Sequence, residues 1–349
     1  MRVLITGHNG YIGAVMAPFL KKAGHEVVGM DAMYFDGCHL WDDFERPDQV
    51  IQKDIRDVTP ADLQGFDAIA HLAALSNDPL GNLNPSITYD INEHASVTLA
   101  KAAKEAGVPR FLYSSSCSVY GAASPEDFLD ESADFNPVTA YGKSKVQAEA
   151  GIKPLAGSGF SPTYMRNATV YGLSPQLRAD LVVNNLVGYA FTTGEVLIKS
   201  DGTPWRPLVH VEDVCRAFLA VMEAPIEVVH DQAFNVGQDR ENYQVRDVAT
   251  YVENTVPNSK VEYAPGGEPD TRCYRANFGK IREALPGFEP QWDVPKGVVE
   301  LYEAYRDRGL KLEDLEGARF QRIRRITNRI EGGELDKDLR WVSVAPEAN

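Results

Sequence analysis

A glycine-punctuated turn directly behind the first apolar run constrains this chain more than any other feature. Arg2-Val3-Leu4-Ile5-Thr6 is short, apolar and β-branched, and reads as a buried strand. It runs into Thr6-Gly7-His8-Asn9-Gly10-Tyr11-Ile12-Gly13, a G-x-x-G-x-x-G spacing. That turn opens a helical pattern over about 11–23, with Gly24 as its stop signal. Pro18 inside the pattern predicts a kink or a restarted first turn. Glu26-Val27-Val28-Gly29-Met30 is the second strand and ends at Asp31. Further strands are expected over 68–73 and 111–115, separated by a helix over about 92–106 that Gly107-Val108-Pro109 ends. Strands alternating with helices imply crossover connections, so the expected class is α/β with a doubly wound parallel sheet.

From about Arg166 the pattern loosens, and polar turns such as Ser200-Asp201-Gly202-Thr203-Pro204 appear. The expected organisation is a first domain over 1–165, to which later segments return. A smaller, irregular α/β substrate lobe follows over 166–310, then a charged helical tail over 311–349. In that tail Arg319, Arg322, Arg324, Arg325 and Arg329 alternate with Ile323, Ile326 and Ile330, and Glu313, Asp314, Glu316 and Glu331 dilute the charge. This is the pattern of an amphipathic helix packed on the body or on a partner subunit, rather than of an RNA-binding segment.

Composition narrows the partners. The 349 residues carry a formal net charge of −15. Such a chain repels nucleic acid and anionic lipid surfaces, so neither is expected, and an anionic small molecule would need its own local arginines. The N-terminal apolar run is too short for a signal peptide, and no stretch approaches the roughly 20 apolar residues of a membrane helix. Cys38, Cys117, Cys215 and Cys273 are scattered. They read as reduced thiols of a cytoplasmic protein, and neither they nor the histidines show metal-ligand spacing.

Glycines at a strand-to-helix turn let the backbone approach a pyrophosphate, which the helix N-terminus then stabilises. Gly7, Asn9, Gly10, Tyr11, Ile12 and Gly13 are the candidate contacts; a turn needing glycine only for its own shape is the alternative. Asp31, at the end of the second strand, can accept hydrogen bonds from adenosine ribose hydroxyls and would repel a 2′-phosphate. Ala32 and Met33 follow, without an arginine nearby. NAD is therefore expected over NADP, the alternative being a merely solvated aspartate. Asp54 and Ile55 suit an adenine contact or an ordinary loop.

Tyr141-Gly142-Lys143-Ser144-Lys145 supplies Tyr-x-x-x-Lys, which on a helix puts Tyr141 and Lys145 on one face. An ammonium near the phenol favours phenolate and makes Tyr141 a usable base. A surface pair is the alternative. Ser114-Ser115-Ser116-Cys117-Ser118-Val119-Tyr120-Gly121 lies at a strand end. In open α/β sheets that is where ligands bind, although a polar strand end would look the same.

Taken together, these residues resemble the extended short-chain dehydrogenase/reductases, and within them the NAD-dependent epimerase/dehydratase family typified by UDP-galactose 4-epimerase. The resemblance runs to about Tyr305. It is carried by Thr6 to Gly13, Asp31, Asp54, His71-Leu72-Ala73-Ala74, Asn92, Ser116, Tyr141 and Lys145. Arg166-Asn167-Ala168-Thr169-Val170-Tyr171-Gly172, Pro207-Leu208-Val209-His210-Val211-Glu212-Asp213 and Phe234-Asn235-Val236-Gly237 extend it. It implies a Rossmann-type sheet that binds NAD, with Leu72, Ala73, Ala74 and Ser114 among the cofactor contacts. Ser116 is then the catalytic hydroxyl and Tyr141 the proton acceptor. Lys145 becomes the electrostatic support and nicotinamide-ribose contact. Arg206 and Arg272 match arginines that hold a nucleotide diphosphate, and Asn167 matches a substrate-side asparagine. Asn92 matches one that supports the active-site backbone. A homodimer is the family habit.

The family's 4,6-dehydratases place an Asp-Glu pair after the catalytic hydroxyl residue, where this chain has Cys117 and Ser118. Relatives that epimerise carbons flanking the keto group carry a cysteine where this chain has Ser118; Cys117 reads as a small core residue. The resemblance therefore points to a nucleotide-sugar 4-epimerase working through a transient 4-keto sugar. A nucleotide-sugar 4-dehydrogenase or 4-ketoreductase would use the same residues, and a non-catalytic NAD-binding scaffold or redox sensor is the reading from another class. Ser76, Asn77, Asp78, Leu177 and Arg178 are candidates to line the sugar pocket. The segment after Ala74 departs from the better-known epimerases, so UDP-galactose itself is not implied.

Overall fold

The computed structural model describes residues 1–76, 84–122, 124, 126–198, 200–264 and 273–342. Its centre is a sheet of seven strands, in spatial order Gln232–Val236, Ser161–Asn167, Arg110–Ser116, Ala68–His71, Arg2–Thr6, Glu26–Asp31 and Gln49–Gln52. Every neighbouring pair is parallel. The chain winds outward from Arg2–Thr6 on one side, then crosses back to Ala68–His71 on the other. That reversal opens a crevice at the carboxyl ends of the two central strands, where dinucleotide folds bind their ligand.

Period-two alternation explains why both faces are covered. Val3, Ile5 and Val27 point into one core with Met16, Leu20, Phe218 and Val221; Leu4, Val28 and Ile69 point into the other with Leu99, Phe111, Ile152 and Phe160. Residues beyond 165 supply the last sheet strand, Gln232–Val236, and the helix Val211–Glu223, which packs on the first helix. The first helix spans Gly13–Lys22, and Pro18 does not divide it. Pro18 withholds one N–H from Ala14, and burial of Ala14, Met16, Ala17 and Leu20 holds the helix together regardless.

The second lobe gathers a three-stranded sheet (Thr169–Tyr171, Trp205–His210, Asn242–Gln244) and the helices Val182–Thr193, Val245–Thr255 and Val294–Arg308. Its core holds Tyr171, Leu186, Val252, Leu301 and Tyr305, and also Leu177, which is therefore a packing residue. The tail folds back onto the first domain. Ile326, Leu335 and Leu339 pack with Tyr34, Ile55, Leu75 and Ile91. Among the described residues no helix is long and apolar enough to cross a membrane, and no acidic, His or Cys group is arranged for a metal.

The helix expected over 92–106 begins differently. Asp90–Ala95 form a π-helical turn before the α-helix Ser96–Glu105. The extra residue in that turn aims Asn92 at Leu75, a use of π-turns common near functional sites.

At the end of the fourth-listed central strand, His71 is 1% exposed and bonded at both ring nitrogens, Nδ1 to Thr6 Oγ1 at 2.6 Å and Nε2 to Ser96 Oγ at 2.8 Å. Burial, helped by the Lys145 ammonium, pushes its pKa from 6.5 down to about 3. The unfolded chain takes up a proton near pH 6.5 that the folded chain refuses. The stabilisation is thus complete above pH 6.5 and is lost as pH falls toward 3, by a few kcal/mol. In urea titrations His71→Gln should flatten the fall of stability between pH 6.5 and 4. An unchanged slope would show that His71 does not contribute.

Candidate active site

The crevice continues into the second lobe as one cleft of about 850 Å³, within the range of ligand sites. Gly7, Gly10, Tyr11, Ile12, Gly13, Asp31, Asp54, Ile55, Leu72, Ala73 and Ala74 line the end formed by the glycine turn. Ser114, Ser116, Tyr141, Lys145, Asn167, Arg178 and Arg206 line the remainder.

Steric demands on the glycine turn are severe. Gly7 has φ +77°, and a Cβ there would lie 2.8 Å from the Ala73 nitrogen; on Gly13 it would lie 2.3 Å from the Gly7 carbonyl oxygen. The backbone must therefore stay bare, which leaves a cradle that a diphosphate can enter. Asn9 plays a different part from the one its position suggested. Its side chain turns inward, where its Oδ1 accepts from Gln176 Nε2 at 3.1 Å and meets His39 Nε2 at 3.2 Å. Its backbone N–H donates to Asp31 Oδ2 at 3.0 Å. Tyr11 lines the cleft and donates its hydroxyl to the Gly172 carbonyl at 2.6 Å, tying the turn to the second lobe.

Asp31 also accepts from the Met33 N–H at 2.7 Å. Burial raises its pKa despite these bonds, and each carboxylate oxygen keeps acceptor capacity for a ribose hydroxyl. Asp54 borders the cleft, but its carboxylate is held by Arg56, with Nη2–Oδ2 at 2.7 Å. Burial raises the Asp54 pKa, and the Arg56 bonds outweigh it to leave the group below the usual carboxylate value. Asn92 is fully buried and does not itself reach the cleft. Its Oδ1 accepts from Leu75 N at 2.8 Å and its Nδ2 donates to Leu75 O at 3.0 Å and to Ser144 Oγ at 3.2 Å. It thereby pins the cleft wall at Leu75 to the helix bearing Tyr141.

That helix, Ala140–Ile152, starts at Thr139, whose Oγ1 accepts from the Gly142 N–H at 3.1 Å. Lys145 is 3% exposed. Its Nζ donates to the Ser114 carbonyl at 2.7 Å and lies 5.8 Å from the Tyr141 ring centroid. Burial pulls its pKa down to about 7, against the pull of Glu149. Ser116 Oγ donates to Ser118 Oγ at 3.0 Å and accepts from Ser118 N at 3.1 Å. Asn167 Nδ2 donates to Ser114 Oγ at 3.0 Å, while its buried Oδ1 has no hydrogen-bond partner among the described residues. Cys117 is fully buried, donates to the Arg166 carbonyl, and has its pKa raised by burial, so it behaves as an inert core thiol.

Beneath this surface lies a buried ion pair. Glu149 Oε2 meets Arg166 Nη2 at 2.7 Å, and Ser115 Oγ donates to Glu149 Oε1 at 2.5 Å. The pair locks the helix of Tyr141 to two sheet strands.

The sequence profile of the NAD dependent epimerase/dehydratase family matches residues 3–237. The chain belongs to that family. It is an NAD-dependent enzyme of the extended short-chain dehydrogenase/reductase type, so the scaffold reading falls away. UDP-glucose 4-epimerase of Mycolicibacterium smegmatis is 29% identical over 320 residues, 88% of this chain and 99% of that protein. UDP-glucuronic acid decarboxylase 4 of Arabidopsis thaliana is 26% identical over 88% of this chain and 69% of its own. Among solved structures, MoeE5 in complex with UDP-glucuronic acid and NAD superposes with a TM-score of 0.77 at 26% identity, covering 89% of this chain and all of that one (100%). NAD fits the residues present. The bare glycine cradle can take a diphosphate, and the Asp31 carboxylate can accept from a ribose hydroxyl.

Arg272, Asn77 and Asp78 lie outside the described residues. Arg206 reaches the cleft from the strand Trp205–His210, with Nη1 donating to the Trp205 carbonyl at 2.8 Å. Arg178 donates to Ser76 Oγ at 3.1 Å and pairs with Asp180 at 2.6 Å. Sequence reasoning missed the cleft-lining Asn185, Tyr189, Ile198, Gln321, Arg322 and Arg324. Only the arginine run of the tail had flagged the last two, and nothing local linked it to the cleft.

Proposed function

We propose that the enzyme is a nucleotide-sugar 4-epimerase acting on a neutral hexose. The observation that carries this reading is the convergence of Ser116, Tyr141 and Lys145 on the cleft that also holds the glycine turn. NAD, when bound, would supply the hydride acceptor for oxidation at C4 of the sugar and the hydride donor for the reduction that follows. Tyr141 takes the proton of the 4-hydroxyl as the carbinol is oxidised and gives it back on reduction. Lys145 stabilises the phenolate from its anchor on the Ser114 carbonyl. Ser116 donates to the developing ketone oxygen, a polarising role that its rotatable O–H allows. Rotation of the ketone within the pocket presents its other face, which inverts C4.

Cys117 and Ser118 leave no acid/base pair for water elimination at the positions where the family's dehydratases carry one. A neutral sugar is favoured over a uronic acid because Arg178, which lines the cleft and feels the Tyr141 charge, is already committed to Asp180. Arg206 borders the cleft from the second lobe and suits a diphosphate.

The test incubates the purified enzyme, without added cofactor, with UDP-, dTDP-, GDP- and CDP-linked hexoses and with UDP-glucuronate. The 4-epimer of a neutral hexose should accumulate over many turnovers without net NADH absorbance. NADH formed in one equivalent per enzyme would instead show a one-way 4-dehydrogenase, and turnover only of UDP-glucuronate would overturn the neutral-sugar assignment.

A further inference from the structure

Arg322 opens the tail helix Arg322–Glu331, is 4% exposed and lines the cleft. Its guanidinium lies over the Phe35 ring, 4.2 Å from the centroid, and donates to the Gln176 backbone carbonyl at 3.2 Å and to Gln176 Oε1 at 3.3 Å. Both acceptors are neutral. Among the described residues Arg322 has no ion-pair partner, whereas the buried Arg56, Arg166 and Arg178 each have a carboxylate at 2.6–2.7 Å. A buried cation without a counter-charge is expensive to maintain. Burial and the neighbouring Arg178 press its pKa down to about 10, so it stays charged at neutral pH.

Its place in the cleft indicates which anion would relieve it. Gln176, which receives the guanidinium, donates through Nε2 to Asn9 Oδ1 inside the glycine turn and to the Phe35 carbonyl. The charges that Arg322 feels include Asp31 toward the ribose end and Arg178 and Asp180 toward the sugar end. Arg322 is therefore joined through Gln176 to the glycine turn and lines the same cleft as Gly7, Gly10 and Gly13. The tail holds it there by contacts far apart in sequence. Tyr34 donates to the Leu339 carbonyl at 2.6 Å, Trp341 Nε1 to the Ala32 carbonyl at 2.6 Å, and Arg340 pairs with Asp57 at 2.6 Å. The tail lies beyond the family match, which ends at residue 237.

We propose that Arg322, delivered by the C-terminal tail, is a ligand for the diphosphate bridge of NAD, completing the anion site that the glycine turn opens. The proposal rests on NAD occupying this cleft. Its consequence is retention: the dinucleotide leaves only when the tail lifts, which suits an enzyme that returns its hydride in each cycle.

Calorimetric titration of nucleotide-stripped protein with NAD, ADP-ribose, adenosine and NADP tests the assignment. Arg322→Gln should weaken NAD and ADP-ribose alike by about tenfold to a hundredfold, as expected for charge-assisted bonds, and leave adenosine unchanged. It should also lower the salt dependence of NAD affinity, and Arg322→Lys should recover part of both. In the unaltered protein, ADP-ribose should slow amide exchange across residues 320–331 and adenosine should not, a result that needs no variant to fold. Equal ADP-ribose affinity in wild type and Arg322→Gln overturns the proposal. So does a loss confined to NADP, which would place the guanidinium at the ribose, or an equal loss for adenosine, which would make it a packing residue. Failure of the wild type to bind NAD would instead remove the cofactor site itself.

Discussion

Tyr141→Phe should lower kcat by about 10²- to 10⁴-fold, the range supplied by a positioned acid or base, with NAD affinity unchanged. The phenol ring stays on a helix whose start is fixed by Thr139 and whose buried face is held by Ser144, Lys145, Ala148 and Glu149. Deleting one oxygen at the cleft surface leaves those contacts in place, so loss of activity reports proton transfer rather than unfolding. The measurement pairs steady-state turnover with NAD binding and a thermal melt. Activity within a few-fold of wild type would remove Tyr141 from the mechanism, since among the described residues no other phenol stands over Lys145 at the cleft surface; Tyr113, whose ring lies 4.7 Å from its ammonium, is fully buried.

Glu149→Ala should destabilise the fold by about 3–5 kcal/mol, the usual result of leaving one partner of a buried pair uncompensated. Arg166 would keep its charge in a site where it is 5% exposed, left with neutral partners: Tyr120 Oη at 3.1 Å, the Glu131 carbonyl at 3.3 Å and the Phe135 ring at 4.7 Å. Ser115 would lose its acceptor as well. Urea unfolding reads the loss directly, and a change under 1 kcal/mol would mean that the pair contributes little. The milder Glu149→Gln carries a second signature. Glu149 raises the Lys145 pKa against burial, so neutralising it lowers that pKa further. The protonated lysine then disappears at lower pH, and the basic limb of the pH–rate profile should move toward acid. A basic limb that stays put would separate Lys145 from the reaction.

Much of the fold was readable because its signals are local. A strand of five residues, a turn with three glycines at fixed spacing and a Tyr-x-x-x-Lys on one helical face each complete their geometry within a few residues. Backbone sterics and helix periodicity act over that same distance. The expected helix over 92–106 shows where this breaks down. Its π-turn exists because Asn92 must meet Leu75, 17 residues earlier, and no local propensity records that partner. Asp54 is similar. A carboxylate after a strand looks available for a ligand until Arg56 folds back onto it and Arg340 arrives from the tail at 3.3 Å.

By itself, then, the sequence determined the alternating α/β order, the bare cradle at Gly7 to Gly13, and which side chains could carry proton transfer. These follow from steric and chemical limits on individual residues. Only the tertiary structure decided that Asn9 and Asn92 brace the cofactor site from behind, and that Arg322 reaches the cleft by packing against Gln176, 146 positions away. Such contacts depend on burial, which makes an unpaired charge or donor costly and so selects its partner from whatever the fold brings near.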